Sequence, residues 1–230
     1  MFKVFVLGSN SKGNCILLNI EDKRFLLDIG VDFRSFRSLN FAKINCLLIS
    51  HEHCDHIKYL NEFLMVNCHC DVILPKKLES TLIKNKQNQD FYEVIRFNID
   101  HDCIENNAYI VLLKNELRKH SFCYLTDANT IPIDFVDQVI KYDINYIFIE
   151  LNHDLKYTDL EISKNKRAIT THLNKHQVID FLNKINTGSQ KHVLLTHKST
   201  SNTHESTYNF INNFKNMKIC VANRNMEVKW

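Results

Sequence analysis

Four glycines and two prolines in 230 residues leave this sequence short of the residues that permit tight turns and interrupt regular structure. That scarcity excludes a collagen repeat and a Pro/Gly-rich disordered chain, and it makes the position of each glycine informative. No apolar run reaches the roughly 18 residues that spanning a bilayer takes, so no membrane partner is expected. The apolar start, Met1 to Gly8, is too short for a signal-peptide core and runs into a turn; it reads as a first strand, and the expected location is the cytoplasm. Heptads, internal repeats, linkers and low-complexity segments are all missing, which points to one domain, 1–230. A formal net charge of +3 permits a phosphate-bearing substrate without announcing a surface that coats nucleic acid.

What is present is an ordinary soluble composition, 44% hydrophobic and 24% charged, with 12 histidines and 8 cysteines. The cysteines follow no regular framework, and without a signal peptide they read as reduced thiols. Cys68-His69-Cys70 lacks the second pair of a closed zinc site and is not read as one.

Val, Ile, Leu and Phe cluster in short runs between polar breaks, which predicts strands over Phe2 to Leu7, Cys15 to Ile20 and Arg24 to Asp28. A short helix is expected over Asp32 to Leu39, and a buried strand over Cys46 to Ser50, ending in His51. Ile57, Leu60, Phe63 and Leu64 recur at helical spacing; Asp71 to Pro75 reads as a strand and Lys77 to Ile83 as a helix. Further strands are predicted at Tyr92 to Phe97, Ala108 to Leu113, Ser121 to Thr126, Tyr146 to Glu150 and Val193 to Thr196. Helices are predicted at Leu173 to Ile185, at Glu205 to Phe214 and from Pro132, as the opening residue, to Tyr142. Strands first and alternation afterwards indicate a mixed α/β or α+β sandwich.

The strongest signal is His51-Glu52-His53-Cys54-Asp55-His56, four titratable groups of metal-ligand type that resist ordinary burial. In extended chain, residues two apart project to one side, so His51 and His53 can converge on one ion. Asp55 and His56 follow on the turn into the next helix, placed for a second. Imidazole with carboxylate suits Zn²⁺, Mn²⁺ or Fe²⁺. At the end of a buried strand, this motif resembles the metal-binding signature of the metallo-β-lactamase superfamily. Gly8 to Cys15, Asp28-Ile29-Gly30, His101-Asp102, Thr126-Asp127, Glu150 to Asp154, His172-Leu173-Asn174 and His197-Lys198-Ser199 resemble, in order, the WalJ/YycJ branch.

The resemblance implies an α/β fold, a four-layer αβ/βα sandwich of two mixed β-sheets, and two divalent ions per chain, Zn²⁺ or Mn²⁺. It implies His51, His53 and His101 on one ion, Asp55, His56 and His197 on the other, and Asp127 bridging. The activity implied is phosphodiester hydrolysis of nucleic acid, DNA favoured, with exonuclease character, through a metal-bridging hydroxide that Asp55 and Asp127 orient. His172 is the candidate acid for the leaving group or a phosphate ligand. Ser9, Ser11, Asn14 and Ser199 are candidate phosphate donors, and the Gly8 to Asn14 segment reads as a hairpin turn, a phosphate loop or both. Glu150 and His153 either support His172 and the metals or are structural. The branch has His-Leu-Ser at both late histidines, which this chain departs from, so phosphate contacts there are expected to differ. About 70 residues separate Asp127 from His197, too few for a large inserted domain. Two other classes remain open at this point: a small-molecule hydrolase of cyclic nucleotides, thioesters or lactones, and a non-catalytic, metal-stabilised binding module. Lys156, Lys164, Lys166 and Arg167 form a basic stretch that could track a backbone or be a solvated face.

Overall fold

The structure, a computed structural model, describes residues 1–78 and 90–230. The chain forms two compact units, one of Met1–Asp90, Cys103–Asn106 and Ala222–Trp230, the other of Phe91–Asp102 and Asn107–Val221.

In the first unit the short apolar runs and two-residue gaps produce an antiparallel meander of β1 (Phe2–Asn10), β2 (Gly13–Ile20) and β3 (Lys23–Leu27). β4 (Cys46–Leu48) and β5 (Asp71–Ile73) then add parallel to β3. Cys46, Leu47 and Leu48 are fully buried, which is why β4 is an unbroken apolar run rather than an alternating one. The sheet closes at its other edge with β12 (Met226–Lys229), giving the order β12-β1-β2-β3-β4-β5. The short helix expected over Asp32 to Leu39 is a 3-10 stretch, Phe33–Leu39, bent at Phe36. Helices α1 (Cys54–Ile57) and α2 (Leu60–Val66) follow β4. Phe33 and Phe63 meet edge to face at 5.7 Å in a core that includes Leu17, Leu26, Leu47 and Ile49. Each such side chain contributes about 1.5–3 kcal/mol through burial. The helix expected over Lys77 to Ile83 lies outside the described residues from position 79 onward.

The second unit holds β6 (Tyr92–Ile99), β7 (Asn106–Leu113), β8 (Phe122–Leu125), β9 (Tyr146–Glu150), β10 (Lys191–Thr196) and β11 (Met217–Val221), ordered β11-β10-β9-β8-β7-β6. β8 through β11 are parallel neighbours and β7 runs antiparallel to β8. Parallel pairing requires crossovers. One carries α3 (Ile133–Lys141); the next carries α4 (Ser163–Thr171) and α5 (Lys175–Ile185). Pro132 caps α3 instead of occupying its first turn. α5 begins at Lys175, because the Asn174 side chain accepts from the His176 and Gln177 N–H groups while Gln177 answers the Asn174 N–H. The sequence does not predict α4, whose apolar stripe is weak, nor the short edge strands β11 and β12. Glu205–Asn213 is 3-10 and not α. No helix among the described residues is long and apolar enough to cross a membrane.

Both units are therefore mixed six-stranded sheets with helices, and in each the parallel strands bring their C-terminal ends to one edge. Asp28 follows β3 and His51 closely follows β4; Glu150 ends β9, and Asp127 and His197 follow β8 and β10.

At the other end of β10, Lys191 is 1% exposed and donates to Asp143 Oδ1 at 2.6 Å. That hydrogen bond holds the Asp143 carboxyl below its usual value. A lowered folded-state pKa stabilises above the unfolded value near pH 4, and the benefit disappears as pH falls through the folded value. Asp143 is about half exposed and solvent screens the pair, so Asp143→Asn is expected to cost only about 0.5–1 kcal/mol at pH 7. Urea melts should show that deficit shrinking at acid pH.

Candidate metal centre

In the first unit the site grows from one buried carboxylate. Asp28, fully buried, accepts from the Ser50 N–H at 2.8 Å, the Ser50 hydroxyl at 3.0 Å and His56 Nδ1 at 2.6 Å. Ser50 Oγ also lies 3.0 Å from His51 Nδ1. With its one hydrogen directed to Asp28, Ser50 Oγ accepts from His51 Nδ1–H, and it also lies 3.1 Å from His56 Nδ1. Both Nδ1 atoms being protonated, His51 and His56 carry their lone pairs on Nε2, the form in which imidazole ligates a metal. The rings converge, with centroids 4.5 Å apart for His51 and His53 and 4.2 Å for His51 and His56. His53 is the extended residue before α1, and Asp55 and His56 occupy its first turn, as expected. Asn14 Nδ2 donates to Asp55 Oδ2 at 3.1 Å and sits 3.0 Å from His56 Nε2. Its amide therefore belongs to this cluster.

Gly30 makes the arrangement possible. A Cβ there would lie 1.6 Å from the Asp55 carbonyl oxygen, and Ile29 N–H donates to the His56 carbonyl at 2.7 Å. The loop after β3 is thereby strapped against α1.

In the second unit, Asp127, Glu150, His172 and His197 are all buried, with donor atoms within 4.8 Å of one another. Glu150 Oε1 accepts from His172 Nδ1 at 2.5 Å and from His197 Nδ1 at 3.2 Å, while Glu150 Oε2 accepts from the Ala128 N–H at 3.0 Å. His197 Nδ1 is also 3.2 Å from Asp127 Oδ1. His101 Nδ1 donates to the Thr171 carbonyl at 3.1 Å, and its Nε2 lies 3.2 Å from Asp102 Oδ1 and 3.8 Å from Asp127 Oδ2. Burial pushes His101 toward its neutral form. Burial also opposes a charge on His172, but Glu150 and then Asp127 outweigh it and hold that ring above the usual imidazole value. The same pairing holds Glu150 low despite its burial, which acts the other way.

Asp28, Asp127 and His197 all adopt left-handed backbone, with φ of 55°, 51° and 48°. Non-glycine residues do so at a cost of order 1 kcal/mol or more, and such positions gather where side chains must be aimed.

The structure thus brings Asn14, His51, His53, Asp55 and His56 together in one unit, and His101, Asp127, His172 and His197 together in the other. Ser9 is buried in β1 beside Asn14, and Ser11 is exposed in the turn. The Ser199 hydroxyl accepts from the Asn202 N–H at 3.2 Å, closing its own loop. Arg167, from the basic stretch, is clamped by Asp102 through two bonds of 2.6 and 2.9 Å. Sequence reasoning left out Asp28 and Ser50 as functional residues and left Glu150 undecided. The available signal was a carboxylate ending an apolar strand, since a buried carboxylate needs donors.

The donor set, imidazole and carboxylate with Nδ1 of His51, His56, His101 and His197 already committed, fits a divalent ion. Asp28→Asn keeps an acceptor for Ser50 but removes the charge that fixes the His56 tautomer. It is expected to weaken divalent-ion affinity about 10–100-fold, with the thermal melt of the metal-free protein little changed. Calorimetric titration with Zn²⁺ measures it.

No family model matches the chain. Among curated proteins it is 25% identical over 234 residues to the exodeoxyribonuclease YycJ of Bacillus anthracis, covering 86% of this chain and 82% of that protein. It is 28% identical over 180 residues to the exodeoxyribonuclease WalJ of Streptococcus pneumoniae, covering 67% of this chain and 64% of WalJ. Similar solved structures include the metallo-β-lactamase-fold protein YhfI of Bacillus subtilis, with TM-score 0.72, 15% identity and 99% and 98% coverage. Human tRNase Z, short form, superposes with TM-score 0.68 at 14% identity over 99% of this chain and 98% of that one. A diphosphatase of the PhnP family gives TM-score 0.69 at 18% identity, with 99% and 97% coverage. With these matches and the two His/carboxylate clusters, the chain is a metal-dependent hydrolase of the metallo-β-lactamase fold that resembles the YycJ/WalJ branch in sequence.

Proposed function

We propose that the chain acts in the cytoplasm as one hydrolase domain, 1–230, that holds two divalent ions and cleaves phosphodiesters of nucleic acid, DNA by preference, from a strand end. By the sequence resemblance alone, His51, His53 and His101 would hold one ion and Asp55, His56 and His197 the other, with Asp127 shared. The names of the two curated relatives support a DNA substrate. When bound, two such ions lower the pKa of a water and clamp phosphate oxygens.

The observation that carries the reading is the buried Glu150–His172 pair. Cleaving a phosphodiester leaves an alkoxide that needs a proton. Glu150 accepts the His172 Nδ1–H at 2.5 Å, so a protonated ring keeps its second proton on Nε2 for that oxygen. His172 also caps α4, its N–H donating to the Ala168 carbonyl at 3.0 Å, where the helix C-terminus favours a cation. Ser9, Ser11, Asn14 and Ser199 are assigned to phosphate oxygens. Asp55 and Asp127 would balance the charge of bound ions and orient the attacking water.

His172→Ala is expected to retain both metals by elemental analysis and to lower turnover of labelled DNA about 10²–10⁴-fold. Loss of metal in that variant would instead make His172 a ligand. With Mn²⁺ or Zn²⁺ and a labelled duplex, terminal nucleotides should be released. An intact duplex alongside fast hydrolysis of a cyclic mononucleotide would replace the nuclease reading with a small-molecule one.

A further inference from the structure

We propose that a cationic pocket in the first unit, beside the β1–β2 turn, holds a backbone phosphate of the nucleic-acid substrate other than the one being cleaved. The proposal rests on the nucleic-acid reading above and adds to it a site formed by Lys12, Lys58 and Arg224.

The pocket has a volume of about 210 Å³, below the ~300–1,000 Å³ of a site for a drug-sized ligand. It suits a phosphate with its sugar and is too small for a whole cofactor. Its three cations come from three separate places in the fold: the β1–β2 turn, the link between α1 and α2, and the segment before β12. The lone carboxylate in the lining is Asp32, and Arg34 already binds it through two bonds of 2.7 and 3.0 Å. Among the described residues none of Lys12, Lys58 and Arg224 forms an ion pair with a carboxylate. Gathering three cations around a single carboxylate that is already paired is unfavourable, and an anion in the pocket relieves it. Lys58 is held over the Tyr59 ring at 5.6 Å, so its ammonium is partly ordered in advance.

The floor is main chain. Gly8, Gly13 and Gly30, three of the four glycines, line it. A Cβ on any of them would fall within 2.7 Å of a neighbouring carbonyl oxygen, so this floor is closely packed and carries no side chain at those positions. It also adjoins the histidine cluster, because Gly13 precedes Asn14 and Gly30 rests on the Asp55 carbonyl. A phosphate here would belong to the same strand that reaches the cluster. Ammonium and guanidinium groups bind phosphate oxygens without reading bases, so the contribution is independent of sequence.

The full chain carrying Lys12→Gln, Lys58→Gln and Arg224→Gln tests this, against a control carrying Lys119→Gln, Lys141→Gln and Lys184→Gln, three exposed lysines elsewhere. Anisotropy of a labelled single-stranded oligodeoxynucleotide with cleavage-resistant phosphorothioate linkages, on the metal-loaded protein, gives affinity without cleavage. Affinity of the pocket variant is expected to fall roughly tenfold, with the slope of log K against log salt reduced by about 0.7 for each phosphate that is no longer neutralised. The ratio of kcat/KM for the oligonucleotide to kcat/KM for a small chromogenic phosphodiester should fall by a similar factor, and the control should keep both values. An unchanged affinity and ratio in the pocket variant, while the wild type still cleaves the oligonucleotide, would overturn the pocket and leave the nuclease reading intact. Equal losses in both variants would also overturn it, as general charge. Lost binding of inorganic phosphate with oligonucleotide binding intact would make it a free-anion site and overturn it too. A wild type that hydrolyses the small diester but neither binds nor cleaves the oligonucleotide would overturn the nuclease reading first, and the pocket with it.

Discussion

Taking a carboxylate out of water costs several kcal/mol unless donors replace the lost hydration, and this chain buries Asp28 and Glu150 completely. Each sits at the C-terminal end of a strand with at least one parallel neighbour, and each is met by main-chain N–H and imidazole donors. Asp28 collects a main-chain N–H, a hydroxyl and an imidazole; Glu150 collects two main-chain N–H groups and two imidazoles. The imidazoles satisfy the carboxylates, and the carboxylates fix which nitrogen of each imidazole holds the proton. One requirement, that buried charge be paired, thus determines both the packing at the sheet edges and the protonation of His56, His172 and His197.

The same edges concentrate backbone strain. Asp28, Asp127 and His197 turn the chain just beyond β3, β8 and β10 in a left-handed conformation that a glycine would adopt at lower cost. Their side chains supply the bonds that hold them there: Asp28 through Ser50 and His56, Asp127 through the Thr126 hydroxyl at 3.0 Å. The His197 carbonyl is held by the Asn152 amide at 3.0 Å. Three glycines stand where backbone approaches backbone, while Gly188 serves a turn with φ of 96° and open space around it. Three of the four stand where the first loop, the turn after β3 and α1 come together.

Much of the fold was legible because its signals are local. Strands such as Cys46–Leu48 and Tyr146–Glu150 are apolar runs of strand length, and the α5 cap needs only Asn174 and Gln177 three residues apart. α4 was not legible because its nine residues are mostly polar and threonine-rich. β11 and β12 were missed because short edge strands are specified by the neighbour they pair with more than by their own composition.

For the candidate site, the sequence by itself determined the ligand types and the convergence of His51, His53, Asp55 and His56, since six residues of strand end and helix start leave little choice of direction. It also placed Asp127 and His197 at strand ends. Tertiary structure alone decided that Asp28 orients His56 across 28 residues, that Glu150 holds His172 across 22, and that Asp102 claims Arg167 across 65. The reason is geometric. A hydrogen bond tolerates only a few tenths of an ångström, and between distant residues that precision comes from strand register and loop closure, which no local pattern encodes.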